Sequence, residues 1–171
     1  QAVKPGSGVI GRVANAGRLP VGYLNDPEKT AATFIEVEGQ RYCFTGDMAT
    51  VEDDGTIQLL GRGSQCINTG GEKVFPEEVE EVLKTHESVR DAVAVGVPDE
   101  KFGQAVAAVV ELDPGATLDA PGLIAHVKGK LAHYKAPKHV IAIDSIGRAP
   151  NGKVDYKRLT DLATAELGVA G

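Results

Sequence analysis

Near its end the chain reads RAPNGKVDY, residues 148–156, with Lys153 directly after a Pro-Asn-Gly turn. A lysine ammonium held out on a tight turn suits an anion, a carboxylate or a phosphate above all. Two other stretches have comparable potential. FTGD, residues 44–47, closes a β-rich run with the carboxylate of Asp47 on a glycine turn. GRGSQCINTGGEKVFPEEVE, residues 61–80, sets Arg62 beside Gly63 and contains the pair Gly70-Gly71, where bare backbone can come close to a ligand. Taken singly, each has an ordinary reading: a solvated surface lysine, an aspartate that caps a turn, and a long turn before a helix.

Other chemistries find less support. GSGVIG, residues 6–11, has the glycine spacing of a dinucleotide-binding loop, but QAVKP before it makes no strand and a β-like run follows it where a helix should open. No GxxxxGK[ST] loop occurs. His86, His126, His133 and His139 lack the spacing of a zinc site, and no metal site is expected. Ser64 follows an exposed Gly-Arg-Gly turn, GxSxG is absent, and no histidine stands near it in sequence, so a serine nucleophile is unsupported.

The elements that must position these loops divide the 171 residues in two. From Gly8 to Leu60 the pattern is of short strands and turns. Within it NDPEKTAATF predicts one helix, with Asp26 as N-cap, Pro27 in the first helical position and Glu28 favoured by the helix dipole. RYCF and TIQLL flank EDDG as a hairpin turning at Gly55. Beyond Gly61 the pattern becomes α/β. FPEEVEEVLKTH places Val79, Val82 and Leu83 on one helix face, and VRDAVAVGV and QAVAAVVEL read as strands joined by PDEKFG. A helix is expected over 119–133 with Leu123, Ile124, Val127 and Leu131 on one side, then a strand in HVIAID. A last helix from Asp155 buries Leu159, Leu162 and Leu167.

The expected fold is therefore α/β (α+β): a mainly β piece over 1–61, a boundary at 62–65, and a small compact domain over 66–171 with a short sheet and flanking helices. A composition of 42% apolar and 25% charged residues fits a packed core, and a formal charge of −6 without a basic cluster argues against a sequence-independent nucleic-acid binder. Cys43 and Cys66 are too few for a disulfide framework and point to a reducing compartment. No apolar run reaches the length of a membrane span, so the expected location is cytoplasmic, with room for peripheral membrane association. The chain opens QAVKPGSGVIG without an initiator methionine, which fits a removed tag, a processed precursor or a cut from something longer.

In this order and at these separations, YCFTGD, LLGRGSQCINTGGEKVFPEEVEEVL and RAPNGKVDYKRL resemble three successive signatures of the adenylate-forming family, which includes acyl-CoA synthetases, luciferase-like enzymes and adenylation domains. GVIGRV and GYLNDPEKTAATF are similar to the segment that precedes them, so the resemblance spans nearly the whole chain. It implies a C-terminal portion of a bacterial fatty-acid- or sterol-type CoA ligase. Such an enzyme activates a carboxylic acid with ATP to acyl-AMP and passes the acyl group to CoA, with Mg2+ accompanying the nucleotide.

Residue by residue, the resemblance implies that Asp47 accepts hydrogen bonds from the ribose hydroxyls and Arg62 contacts the same nucleotide. Lys153 bridges the acid's carboxylate and the phosphate of ATP. Ser64 stands at the hinge between domains, where the family commonly has Asp or Lys, and Phe44 stands where relatives often carry a basic residue. Gly70 and Gly71 leave a path for the pantetheine of CoA, and Lys73 and Lys135 reach its phosphates. The partners implied are small molecules and the N-terminal domain of the same protein. That domain holds the phosphate loop and the acid pocket, so residues 1–171 alone are expected to be inactive. The alternatives are delivery to a carrier-protein thiol, or a binding module of the same fold without chemistry. CoA is favoured because INTGGEKVFPEEVE looks more like the medium- or long-chain and sterol-type CoA ligases of bacteria, and no carrier-domain serine motif follows ATAELGVAG.

Overall fold

The computed structural model describes residues 1–169 and divides into two compact units, Gln1–Ser64 and Gln65–Gly171. In the first, the long strand β3 (Gln40–Val51) organises the rest. It pairs antiparallel with β1 (Gly11–Asn15), β2 (Phe34–Val37) and β4 (Ile57–Arg62). β2 turns into β3 through Glu38 and Gly39, both at positive φ (51° and 77°), the geometry a two-residue hairpin favours. β3 turns into β4 through Gly55 at φ 85°. Helix α1 (Pro27–Thr33) starts where the sequence places it: Asp26 accepts from the Lys29 amide at 2.9 Å and Pro27 opens the helix.

The second unit is built on β7 (Val89–Asp99) and β8 (Gly103–Leu112), antiparallel from Val89↔Leu112 to Asp99↔Gly103. These two strands are almost uniformly apolar because helices cover both faces of their sheet. Ala92, Ala94, Val106, Ala108 and Val110 pack toward α2 (Pro76–Lys84) and α3 (Ala120–Lys128). The alternating set Val93, Val95, Val97, Ala107 and Val109 packs with Leu159 and Ala163 of α4 (Tyr156–Leu167). Along each strand the side chains take opposite faces in turn, so a period of two is present beneath the continuous apolar run.

At one side of β8 lies a short hairpin, β5 (Ile67–Thr69) and β6 (Glu72–Val74), where a plain turn is the simplest sequence reading. Beside β8 also runs β9 (His139–Ala142), parallel to it and reached through α3, a crossover that a parallel pair requires. Among the described residues, two antiparallel sheets, the second with this one parallel strand, and four helices thus give the expected mixed α/β class. One boundary differs. The helix expected over 119–133 ends at Lys128, where Gly129 caps it with bonds to Ala125 and Val127 carbonyls. Leu131 continues the apolar pattern from a non-helical turn and still packs on the core.

Candidate functional site

Asp47 and Arg62 lie far apart in sequence but are direct register partners across β3 and β4. Gly46, at φ 87°, turns the strand just before Asp47, and a bulge follows at Met48/Ala49. The Arg62 Nε approaches Asp47 Oδ1 to 3.5 Å, with the Arg62 side chain exposed and that of Asp47 partly buried. Such a pair adds little stability in water. It presents one acceptor-only carboxylate and one planar donor fork side by side. Phe44 carries the Arg12 guanidinium over its ring at 4.3 Å, so positive charge is present beside it from another strand.

In the second unit the double glycine forms the β5–β6 turn. Gly70 and Gly71 both have positive φ (59° and 91°), and the Gly70 amide donates to the Phe102 carbonyl at 3.0 Å. A Cβ on Gly70 would meet the Phe102 ring at 3.0 Å, whereas Gly71 faces open space. Gly70 borders a cavity of about 380 Å3 with apolar walls at Val106 and Pro137 and with Lys128, Lys138, Phe102 and Tyr134 at its sides. Of the residues expected to reach CoA, Gly70 borders this cavity. Lys73 is exposed on β6 opposite Asn68. Lys135 is bound to Glu78 at 2.6 Å, both side chains largely buried. Lys128, Lys138 and Tyr134, which the sequence reading does not single out, line the same cavity. The signal available was an aromatic and a lysine at either end of YKAPK, after an apolar helix.

The third loop links β9 to α4. Asn151-Gly152 makes the tight turn that its sequence predicts, with Gly152 at φ 78° and its amide bonded to the Ala149 carbonyl at 2.8 Å. Asn151 Oδ1 accepts from the Lys153 amide at 3.2 Å. The Lys153 side chain is exposed and enters no hydrogen bond or ion pair among the described residues. Arg148, five residues before it, holds Asp91 with two nitrogens, Nε–Oδ2 at 2.7 Å and Nη2–Oδ1 at 2.8 Å. The Arg148 guanidinium keeps the Asp91 carboxyl below the usual carboxylate range. After the loop, the Tyr156 hydroxyl donates to Glu80 Oε1 at 3.0 Å, and the same oxygen accepts from the Ala94 amide at 3.1 Å. Burial pushes the Glu80 carboxyl up to about 7.

Ser64 lies in a 3-10 turn, Gly63–Gln65, and the two units divide after it. No set of three or more His, Cys, Asp or Glu side chains gathers around a possible cation among the described residues. No helix among them is long and apolar enough to cross a membrane.

Residues 78–153 match the model of the AMP-binding enzyme C-terminal domain. The medium/long-chain-fatty-acid–CoA/3-oxocholest-4-en-26-oate–CoA ligase of Mycobacterium tuberculosis strain H37Rv is 52% identical over 155 residues, 91% of this chain and 28% of the relative. The 3-oxocholest-4-en-26-oate–CoA ligase of Rhodococcus rhodochrous is 52% identical over 159 residues, 93% of this chain and 29% of that protein. The chain thus spans under a third of the length of these curated relatives. Among solved structures, the o-succinylbenzoate CoA synthetase of Bacillus subtilis in complex with its acyl-adenylate intermediate superposes with a TM-score of 0.83 at 29% identity, covering 94% of this chain and 32% of that one. With its three signature loops carried on this fold, the chain belongs to the adenylate-forming enzymes and contains their C-terminal domain.

Proposed function

We propose that this chain serves a longer ATP-dependent acyl-CoA ligase, supplying part of its nucleotide site, its hinge and its mobile C-terminal domain. The substrate class is a medium- or long-chain fatty acid or a sterol side-chain acid, a reading supported by the names of the relatives. In the first half-reaction an oxygen of the acid attacks the α-phosphorus of ATP, the bond to the bridging oxygen breaks, and acyl-AMP and pyrophosphate form. Lys153 lies between the carboxylate and the phosphate, where its fixed positive charge offsets the negative charge that accumulates without having to give up a proton. Asp47 accepts from the ribose hydroxyls, and Arg62 donates to the nucleotide beside it.

In the second half-reaction the sulfur of CoA attacks the acyl carbonyl of the adenylate, AMP leaves, and the thiol proton is released. The turn at Gly70 and Gly71 admits pantetheine, and the neighbouring cavity, with two aromatic rings and two lysines, suits the nucleotide end of CoA. Ser64 is the pivot that exchanges the lysine loop for the double-glycine turn. A reaction fed by ATP and CoA belongs in the cytoplasm.

The observation that carries this reading is the Lys153 loop, anchored through its neighbours while its ammonium stays exposed and unengaged. In the full-length ligase, Lys153→Ala should lower pyrophosphate release with dodecanoic acid or 3-oxocholest-4-en-26-oate by ~10²-fold or more. Thioester formation from supplied acyl-AMP should stay within a few-fold of the parent. Equal losses in both half-reactions, or none in the first, overturn the assignment.

A further inference from the structure

We propose that Arg148 is a positioning residue for Lys153, joining the lysine's turn to strand β7 through the Asp91 carboxylate and the Gly152 carbonyl; this rests on the reading of Lys153 as the adenylation lysine. The stretch from Ile143 to Asp155 has no helix or strand, and a connection of that length holds one conformation only where it is tied down. Its first part is tied at Ile146. That side chain is buried, its amide donates to Glu111 Oε2 at 3.1 Å, and its carbonyl accepts from Arg158. Its end is tied where Asp155 caps α4 by accepting from the Arg158 amide at 3.0 Å.

Between those ties the turn closes on itself. The Ala149 amide donates to the Lys153 carbonyl at 2.9 Å and the Gly152 amide to the Ala149 carbonyl at 2.8 Å. These bonds fix the shape of the turn, and Val154, directly after Lys153, packs against the core, but no hydrogen bond within the turn joins it to the sheet. Arg148 supplies the polar tie that orients it from the other end. Two nitrogens grip both oxygens of Asp91, and Nη1 reaches the Gly152 carbonyl at 3.3 Å, one residue before Lys153. Asp91 is itself braced, since its Oδ1 also accepts from the Ala92 amide at 2.8 Å. Both side chains of the pair are more than half buried, at 32% exposure for Arg148 and 19% for Asp91. Among the described residues no other side chain links the turn 149–153 to the sheet.

The planar guanidinium is what makes three simultaneous bonds possible, because its donors diverge at fixed angles. A lysine at the same place keeps the charge and one bond to Asp91, but it cannot hold a carboxylate on both oxygens and a carbonyl at once. This separates a positioning role from a merely stabilising ion pair. Asp91 is ionised well into acid, so the grip persists across the range in which a ligase would be assayed.

The test compares Arg148→Lys, Asp91→Asn and Lys153→Ala in the full-length ligase, with 15N relaxation of the Lys153 amide in the 171-residue chain as a second readout. Misplacement of a reacting group by about 1 Å can cost ~10²-fold in rate. Arg148→Lys should therefore lower kcat for adenylation by ~10- to 100-fold, with KM for ATP and acid within about threefold and thioester formation from acyl-AMP unchanged. Asp91→Asn should move in the same direction, and the Lys153 amide should gain mobility in both while thermal unfolding shifts little. Arg148→Lys within twofold of the parent, beside a crippled Lys153→Ala, overturns this proposal alone. Parallel loss in both half-reactions overturns it too, by making the pair a support of the whole domain. A fully active Lys153→Ala would instead overturn the functional reading and the proposal with it. If Arg148→Lys does not fold, Asp91→Asn carries the comparison.

Discussion

Helix α2 carries four glutamates, and only packing decides which of them is buried. The string EEVEEVL gives Glu77, Glu78, Glu80 and Glu81 equal standing in sequence. In the structure Glu81 is exposed and bonded to Lys84 at 2.5 Å, while Glu80 is 5% exposed between β7 and α4. Its two donors, the Ala94 amide and the Tyr156 hydroxyl, favour the charged carboxylate, but burial outweighs them and the carboxyl titrates at about 7. The Tyr156 hydroxyl is pushed up in turn, first by burial and then by the Glu80 charge. A folded pKa raised above the unfolded value of 4.5 means that protonation favours the fold. Stability from this group is therefore complete below about 4.5, is lost as pH rises through about 7, and is level above that. The span amounts to roughly 3 kcal/mol at 1.36 kcal/mol per pH unit. Asp91 acts in the opposite sense, losing its contribution as pH falls through its depressed pKa, on the acid side of this window. Glu80→Gln keeps the acceptor oxygen and removes the titration. Urea unfolding of the parent should weaken between pH 5 and 8 relative to Glu80→Gln, and parallel curves for the two proteins would count against a buried, titrating Glu80.

For whole elements, sequence legibility followed the strength of the local signal. The α1 start was legible because Asp26, Pro27 and Glu28 each act within one turn. The strands β7 and β8 were legible from length and valine content. The end of α3 was not, because Leu131 prolongs the apolar spacing past Gly129 and a glycine inside a periodic run is ambiguous until its neighbours are known. The β5–β6 hairpin was hidden for a different reason: three-residue strands carry too little pattern to register, and their pairing depends on β8. The candidate site residues could be singled out one loop at a time. Their pairing could not, since Asp47 facing Arg62 and Arg148 gripping Asp91 both depend on register and packing between distant segments. The hairpin turn is where this geometry can be tested. Gly70→Ala forces a side chain into φ 59° and against the Phe102 ring that borders the cavity, whereas Gly71→Ala meets only the backbone strain. Strain of this kind costs on the order of 1–3 kcal/mol. If the cavity receives CoA, Gly70→Ala should raise KM for CoA several-fold more than Gly71→Ala and leave pyrophosphate exchange intact. Equal KM values in the two variants would detach Phe102 from the thiol site.

Across the whole molecule, burial is distributed very unequally between the two units. Among the described residues every buried apolar side chain except Ala49 and Leu60 belongs to residues 65–171. There a five-stranded sheet is covered on one face by α2 and α3 and on the other by α4, the arrangement of a self-sufficient small domain. The first unit has a well-paired antiparallel sheet but leaves Val21 93% exposed, Leu24 91%, Leu59 67% and Ile57 60%. A sheet with so little apolar surface removed from water has little to set against the entropy of ordering its backbone. The two pieces should therefore behave differently when separated after Ser64, the position proposed as the hinge. Residues 65–171 alone should give dispersed amide resonances and one cooperative denaturant transition. Residues 1–64 alone should give neither, with amide exchange close to that of an unfolded chain. A domain that swings between two half-reactions must keep its structure without help from the partner it leaves, so independent folding is also a requirement of the proposed mechanism. Loss of cooperative unfolding in residues 65–171 would contradict both the packing argument and the alternation of the lysine and double-glycine loops.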